Sequence, residues 1–205
     1  MKAFDGLSAK LPATDLELLT PVISESFMKS SKGITSDKLP SAETGKTARQ
    51  TLYGLISLET TRYMKDSGLP PANIANAMEL TAQKMVGAIG TAGSDISSAP
   101  ADIEALMAGM TGALGYTGID KTQLEAVLPK MTAGATVGLG YISMTEYDKD
   151  DLPNMVEKLS AGTTMALGKI EISGYTVDDL DDMVAKVTSG PTAALGRIQM
   201  DGYDH

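Results

Sequence analysis

Residues 152–179 read LPNMVEKLSAGTTMALGKIEISGYTVDD, and the same text recurs on either side without a gap. Residues 124–151 are LEAVLPKMTAGATVGLGYISMTEYDKDD and residues 180–205 are LDDMVAKVTSGPTAALGRIQMDGYDH. Leu124, Leu152 and Leu180 thus open three units at one constant interval, a period of twenty-eight. Matching columns include Lys130, Lys158 and Lys186; Gly134, Gly162 and Gly190; Leu139-Gly140, Leu167-Gly168 and Leu195-Gly196; and Tyr147, Tyr175 and Tyr203. A fixed period of this length marks an array in which each unit buries its apolar face on a neighbour. The register carries back through GALGYTGIDKTQ, with Ile119 in the tyrosine column, which gives units at 96–123, 124–151, 152–179 and 180–205.

Within a unit, Leu152, Met155, Val156 and Leu159 fall at i, i+3, i+4 and i+7, one face of a helix, and Ala166, Leu167 and Ile170 extend the stripe. Asp150, Asp151, Asp178 and Asp179 stand where carboxylates cap free N–H groups at a helix start. Gly140, Gly168 and Gly196 follow the last periodic leucine, the place of a left-handed C-terminal cap. Gly190-Pro191 is expected to kink or divide the third unit's helix. After the glycine comes Ile-x-Ile or Ile-x-Met, a short alternation that reads as extended chain. The expected fold is therefore mostly α: a solenoid-like helical repeat over 96–205, packed on an irregular helical part over 1–95. Its alternatives are an α/β solenoid with a short extended segment per repeat, and an array with two short helices per unit split at the mid-unit glycine.

The N-terminal part predicts helices from Asp15 to about Lys29, with Thr14 or Asp15 as cap and a kink at Pro21, and from Ser41 to Lys65, with Ser41 as cap. A third starts at Pro71 and carries the stripe Ile74, Met78, Ala82, Met85 and Ile89; a fourth runs from Ala101 to about Leu114. Residues 30–41 and 93–100 read as polar loops.

Composition narrows the partners. Net charge is −9, against the clustered Lys and Arg that phosphate backbones and anionic lipid require. Cysteine is absent, so there is no disulfide framework and no thiolate metal site, and the single His205 supports neither a histidine triad nor a zinc site. No apolar run reaches the roughly 18 residues that a membrane-spanning helix needs. Met1-Lys2-Ala3-Phe4-Asp5-Gly6 has no signal-peptide core. Aromatic residues make up 4% of the chain, so the core must be built from Leu, Ile, Val, Met and Ala.

Four motifs invite chemistry. Glu43-Thr44-Gly45-Lys46-Thr47 ends like a phosphate-binding loop, but Pro40 stands where the first glycine belongs and no buried strand precedes it; a helix start explains it better. The acidic clusters, with Asp150, Asp151, Asp178, Asp179 and Asp182 as candidate calcium ligands, lack the spacing of a calcium loop and read first as caps and solvated surface. Met107 and Met110 read as core rather than soft-metal ligands. Tyr147, Tyr175 and Tyr203 form either a contact that staples successive units or a ladder of interaction residues. No catalytic residue, cofactor site or carboxylate pair stands out.

Units of the form L-x-x-M-V-x-K-x-T-x-G-x-T-x-A-L-G-x-I-x-M-x-G-Y-D resemble tandem repeats in large, uncharacterised bacterial cell-envelope or secreted proteins, over residues 110–205. The resemblance implies an extracytoplasmic setting and carries over no catalytic residues. The sequence thus predicts a non-catalytic structural or protein-interaction module, with a protein partner or self-association, no nucleic acid and no membrane span. The alternative is an ion- or small-molecule-binding module that uses the acidic turns or an inter-helix groove.

Overall fold

The computed structural model describes residues 11–34 and 36–200. They form seven α-helices: α1 Ala13–Ser30, α2 Ala48–Asp66, α3 Pro71–Gly87, α4 Ala99–Ala113, α5 Lys121–Leu139, α6 Leu152–Leu167 and α7 Leu180–Ala194. The protein is mostly α, and no strand occurs among the described residues. The stretch expected to be extended is loop, touched by one isolated parallel bridge between Asp120 and Ser173.

Each helix packs chiefly on the helix two places before it. α1, α3, α5 and α7 make one row, and α2, α4 and α6 make the other. The repeat supplies the contact. Gly109 of α4, Gly134 of α5, Gly162 of α6 and Gly190 of α7 each sit where a Cβ would collide with backbone of the helix two earlier: the carbonyls of Gly54, Glu79, Glu104 and Pro129 respectively. Four residues on, small side chains continue the seam at Ala113, Gly138, Ala166 and Ala194, all buried. At Gly138 a Cβ would stand 2.6 Å from the Gln83 carbonyl oxygen. Small residues spaced by four let two helix backbones approach closely, which is how a chain without tryptophan fills its core. Lysines bridge the same step: Lys158 Nζ donates to Glu104 Oε2 at 2.8 Å, and Lys130 Nζ to Asn76 Oδ1.

A second recurrence sets the turns. The described residues with left-handed backbone are Gly45 (φ 79°), Gly68 (82°), Gly93 (105°), Gly118 (81°), Glu146 (66°) and Gly174 (78°). Each lies two residues before the residue that enters the next helical segment: Thr47, Pro70, Asp95, Asp120, Asp148 and Thr176. Five of these entries are closed by the side chain three residues on, which accepts the entry residue's N–H: Gln50 Oε1 (2.8 Å), Ser98 Oγ (3.1 Å), Gln123 Oε1 (3.0 Å), Asp151 Oδ2 (3.0 Å) and Asp179 Oδ2 (2.9 Å). This is the return half of a capping box, and Pro70, the sixth entry, has no N–H to satisfy. Asp120, Asp148 and Thr176 follow one another at the full repeat period. Asp95 and Asp120 stand slightly closer together, because the intervening loop is shorter.

Several expectations change. Gly140 and Gly168 are right-handed, at φ −68° and −69°, and Gly196 lies inside a 3-10 turn, Leu195–Arg197. The helices end by tightening, as in Lys169 N–H to Ala166 O, and the left-handed residue comes later, just before the next entry. Each unit holds one continuous helix: α5, α6 and α7 run unbroken through Gly134, Gly162 and Gly190, because that glycine marks a contact rather than a break. α7 continues through buried Pro191, and α1 through buried Pro21, so neither proline divides its helix. α2 starts at Ala48 rather than Ser41, because Gly45 is left-handed and Thr47 with Gln50 forms the capping box. α1 follows Pro12 and has no side-chain cap.

Two substitution pairs separate space from backbone conformation. Gly162→Ala drives a methyl into the Glu104 carbonyl and is expected to cost about 1–3 kcal/mol. Gly168→Ala, with nothing within 4 Å and a helical φ, is expected to be neutral or to stabilise by up to about 1 kcal/mol. Gly174→Ala should cost about 1–2 kcal/mol through left-handed strain, whereas Glu146→Gly should relieve it and not lower the melting temperature. Denaturant melts of the four variants read these signs.

Candidate interaction surface

α1 and α2 head the two rows, and α1 rests mainly on α3. Leu16, Thr20, Ser24 and Met28 form its buried face. Its hydroxyls are satisfied within the helix: Thr20 Oγ1 donates to Leu16 O at 2.7 Å and Ser24 Oγ to Thr20 O at 2.6 Å. Because α1 leans on α3, its flank toward α2 stays open. A cleft of about 250 Å³ lies there, walled by Ile23, Phe27, Leu55, Ile56 and Tyr63, with Thr20, Ser24, Thr60 and Glu59 among them. Apolar side chains continue onto the outer surface: Leu18 is 63% exposed, Val22 52%, Phe27 44% and Leu55 41%. Large apolar groups clustered at one end of a domain mark a contact surface more often than scattered ones do.

The tyrosines of the repeat are turned inward. Tyr147 OH donates to Leu139 O and Tyr175 OH to Leu167 O, both at 3.0 Å across eight residues, and both rings pack on the core. Burial, then the Asp151 charge, pushes the Tyr147 hydroxyl's pKa well up, and burial and Asp179 raise that of Tyr175. Tyr203 lies outside the described residues. The exposed tyrosines are Tyr116 and Tyr141, with Arg62 placed 5.3 Å over the Tyr116 ring.

The candidate calcium ligands are spread among other tasks. Asp151 and Asp179 close the entry turns. Asp179 also pairs with Lys121 at 2.6 Å, and that pair, with the Thr176 N–H, holds its carboxyl below the usual range. Asp150, Asp178 and Asp182 are exposed. Among the described residues no group of three or more His, Cys, Asp or Glu is placed to hold a metal. Lys46, in the phosphate-loop-like stretch, pairs with Glu43 at 2.7 Å in the turn that Gly45 makes. Met107 and Met110 are fully buried in the core. Among the described residues no helix is long and apolar enough to cross a membrane.

One polar cluster was not legible in the sequence. Asp102, on α4, is 1% exposed and accepts from Ser94 Oγ at 2.7 Å. Beside it, Tyr53 OH and Arg49 Nη1 of α2 both donate to Ala92 O, at 3.0 and 2.9 Å. The cluster fastens the loop after α3 to α2 and α4. The signal for it was a lone Asp on an otherwise apolar helix face, which reads the same as a first-turn acid. Burial pushes the Asp102 pKa up, against opposing hydrogen bonds from Ser94, Ser98 and Gln50 and the charge of Arg49. The folded chain then holds this proton to higher pH than the unfolded chain, whose value is about 3.9. Stability contributed here is present at low pH and falls as pH rises from the unfolded value through the raised folded one. Asp102→Asn removes that dependence, so the variant should gain on the wild type in urea melts as pH goes from acid to neutral; a constant difference would refute the assignment.

No protein-family model matches the chain, and no curated protein matches it in sequence.

Proposed function

We propose that the chain is a non-catalytic, solenoid-like helical array that binds protein through the cleft between α1 and α2. The observation that carries this reading is that cleft, apolar on its walls, two of which, Phe27 and Leu55, are also exposed to solvent. The array reading is supported by the packing of each helix on the one two before it and by the recurring entry turn. The likeness of residues 110–205 to repeats of bacterial envelope and secreted proteins supports a place at a bacterial surface.

The second reading is a small apolar molecule in the same cleft. Its volume, about 250 Å³, lies just below the roughly 300–1,000 Å³ of pockets that take drug-sized ligands, which favours the first reading. The space suits one or two anchoring side chains of an amphipathic helix laid in a groove.

Selection of helix-forming peptides on the immobilised protein tests the choice. The expected binders carry an apolar stripe and lose about tenfold or more in affinity to Leu55→Glu, as loss of a central anchor contact requires. Peptides that bind Leu55→Glu as well as the wild type would overturn the assignment of the cleft. Small apolar compounds that raise the melting temperature of the wild type but not of the variant, with no peptide selected, would favour the second reading.

A further inference from the structure

The exit glycines show which faces of the array the described residues leave uncovered. Gly90, after α3, faces the Ser143 carbonyl in the loop that follows α5. Gly115, after α4, faces the loop that follows α6, and a Cβ there would lie 3.1 Å from Glu171 O. Gly140, after α5, faces the stretch after α7, and a Cβ would lie 2.8 Å from Gln199 N. In each case the absence of a side chain admits backbone from two helices further on. Gly168 and Gly196 hold the same place after α6 and α7, yet no atom of the described residues lies within 4 Å of a Cβ at either. Gly168 has a helical φ, so its backbone conformation does not demand glycine. The apolar positions agree. Val137 of α5 is 5% exposed and clusters with Ala194 of α7, while Met165, its counterpart one repeat later in α6, is 46% exposed.

The other end has the matching deficit. Within the described residues, the back of each helix from α3 to α7 covers the front of the helix two earlier. The backs of α1 and α2 cover none, and the fronts of α6 and α7 are covered by none. In this alternation an eighth helix would pack on α6 and a ninth on α7.

We propose that the α6–α7 face is the seat for the α1–α2 end of a second copy of this chain, giving head-to-tail self-association. This rests on the reading of the α1–α2 cleft as a protein-binding site and names its partner. The interface continues the step already made inside the chain: in the places of an eighth and a ninth helix, α1 of one copy packs on α6 of the next and α2 on α7. A contact between two different faces does not close at two copies and grows into longer assemblies. The contact is apolar and each copy carries a net charge of −9, so moderate salt, which screens the repulsion, strengthens it.

Sedimentation velocity of the whole chain, from micromolar to millimolar, tests the proposal. The expected wild-type weight-average coefficient rises with concentration without a plateau at the dimer, and rises further with salt. Gly168→Gln places its Cβ against no atom of its own chain, so it should keep the wild-type melting temperature yet stay monomeric; Met165→Glu provides a second block at the same face. Leu55→Glu should be monomeric through the opposite end. Mixing Gly168→Gln with Leu55→Glu leaves one open face on each and should give a one-to-one dimer and nothing larger. A wild type that stays monomeric at millimolar concentration, one that stops at a dimer, or a mixture that stays monomeric overturns the proposal. If the cleft still binds selected helices while the wild type remains monomeric, self-association alone falls; if it binds neither, the cleft assignment falls with it.

Discussion

Backbone-to-backbone contact between a helix and the one two places before it is the constraint from which the rest of the structure follows. At Gly109, Gly134, Gly162 and Gly190 the later helix presses its Cα against a carbonyl of the earlier one, at a distance no side chain permits. With two axes this close, the flanking positions must be small and the remaining volume must be filled by flexible side chains. Ala113, Gly138, Ala166 and Ala194 meet the first need, and buried methionines such as Met78, Met107 and Met131 meet the second. The low aromatic content is a consequence of this geometry, since large rings would hold the helices apart.

The contact skips a neighbour, so the chain must alternate between two rows, and each loop must reverse direction the same way. The left-handed residue two before each helix entry does this. Five of the six described examples are glycine, and Glu146 tolerates the conformation at some cost. Reciprocal capping at the entry then fixes where the helix begins, so the glycine fourteen residues after Asp95, Asp120, Asp148 and Thr176 arrives at its seam. The same turn occurs at Gly45 and Gly68, before α2 and α3, where the text of the repeat is not recognisable. It gives the Gly45-Lys46-Thr47 stretch a structural role, with Thr47 as cap and Lys46 paired to Glu43.

On the proposed reading, function resides where this packing rule runs out. Interior helices have both broad faces covered, which removes them as binding surfaces. The two helices at either end each keep one face uncovered, and apart from Tyr116 and Tyr141 the exposed large apolar side chains belong to these helices or to the turns that flank them. Tyr147 and Tyr175 are spent on holding each loop to its own helix end, through a hydroxyl donated to the last helical leucine's carbonyl.

The sequence by itself determined the period, the helical character of each unit and the core stripe, because these depend on spacing along one chain: Ile74, Met78, Ala82, Met85 and Ile89 are all fully buried, as their periodicity requires. It also held the entry turns in plain form, as glycine followed two residues later by Thr or Asp and three further by a side chain with an oxygen acceptor, although the neighbouring aspartates drew attention first. It was ambiguous about the glycines, since glycine serves equally for a left-handed residue, a break or a close approach. Tertiary structure decided that the mid-unit glycine is a contact, that the glycine after Leu139 or Leu167 ends a right-handed turn, and that Gly174 alone of that unit's glycines needs a positive φ. The partner in each contact lies two helices away, about two repeat lengths along the chain, and only the folded backbone brings it near. The α1–α2 cleft was hidden for the same reason: α1 leans on α3, and residues of α3, distant along the chain, supply the other half of that contact.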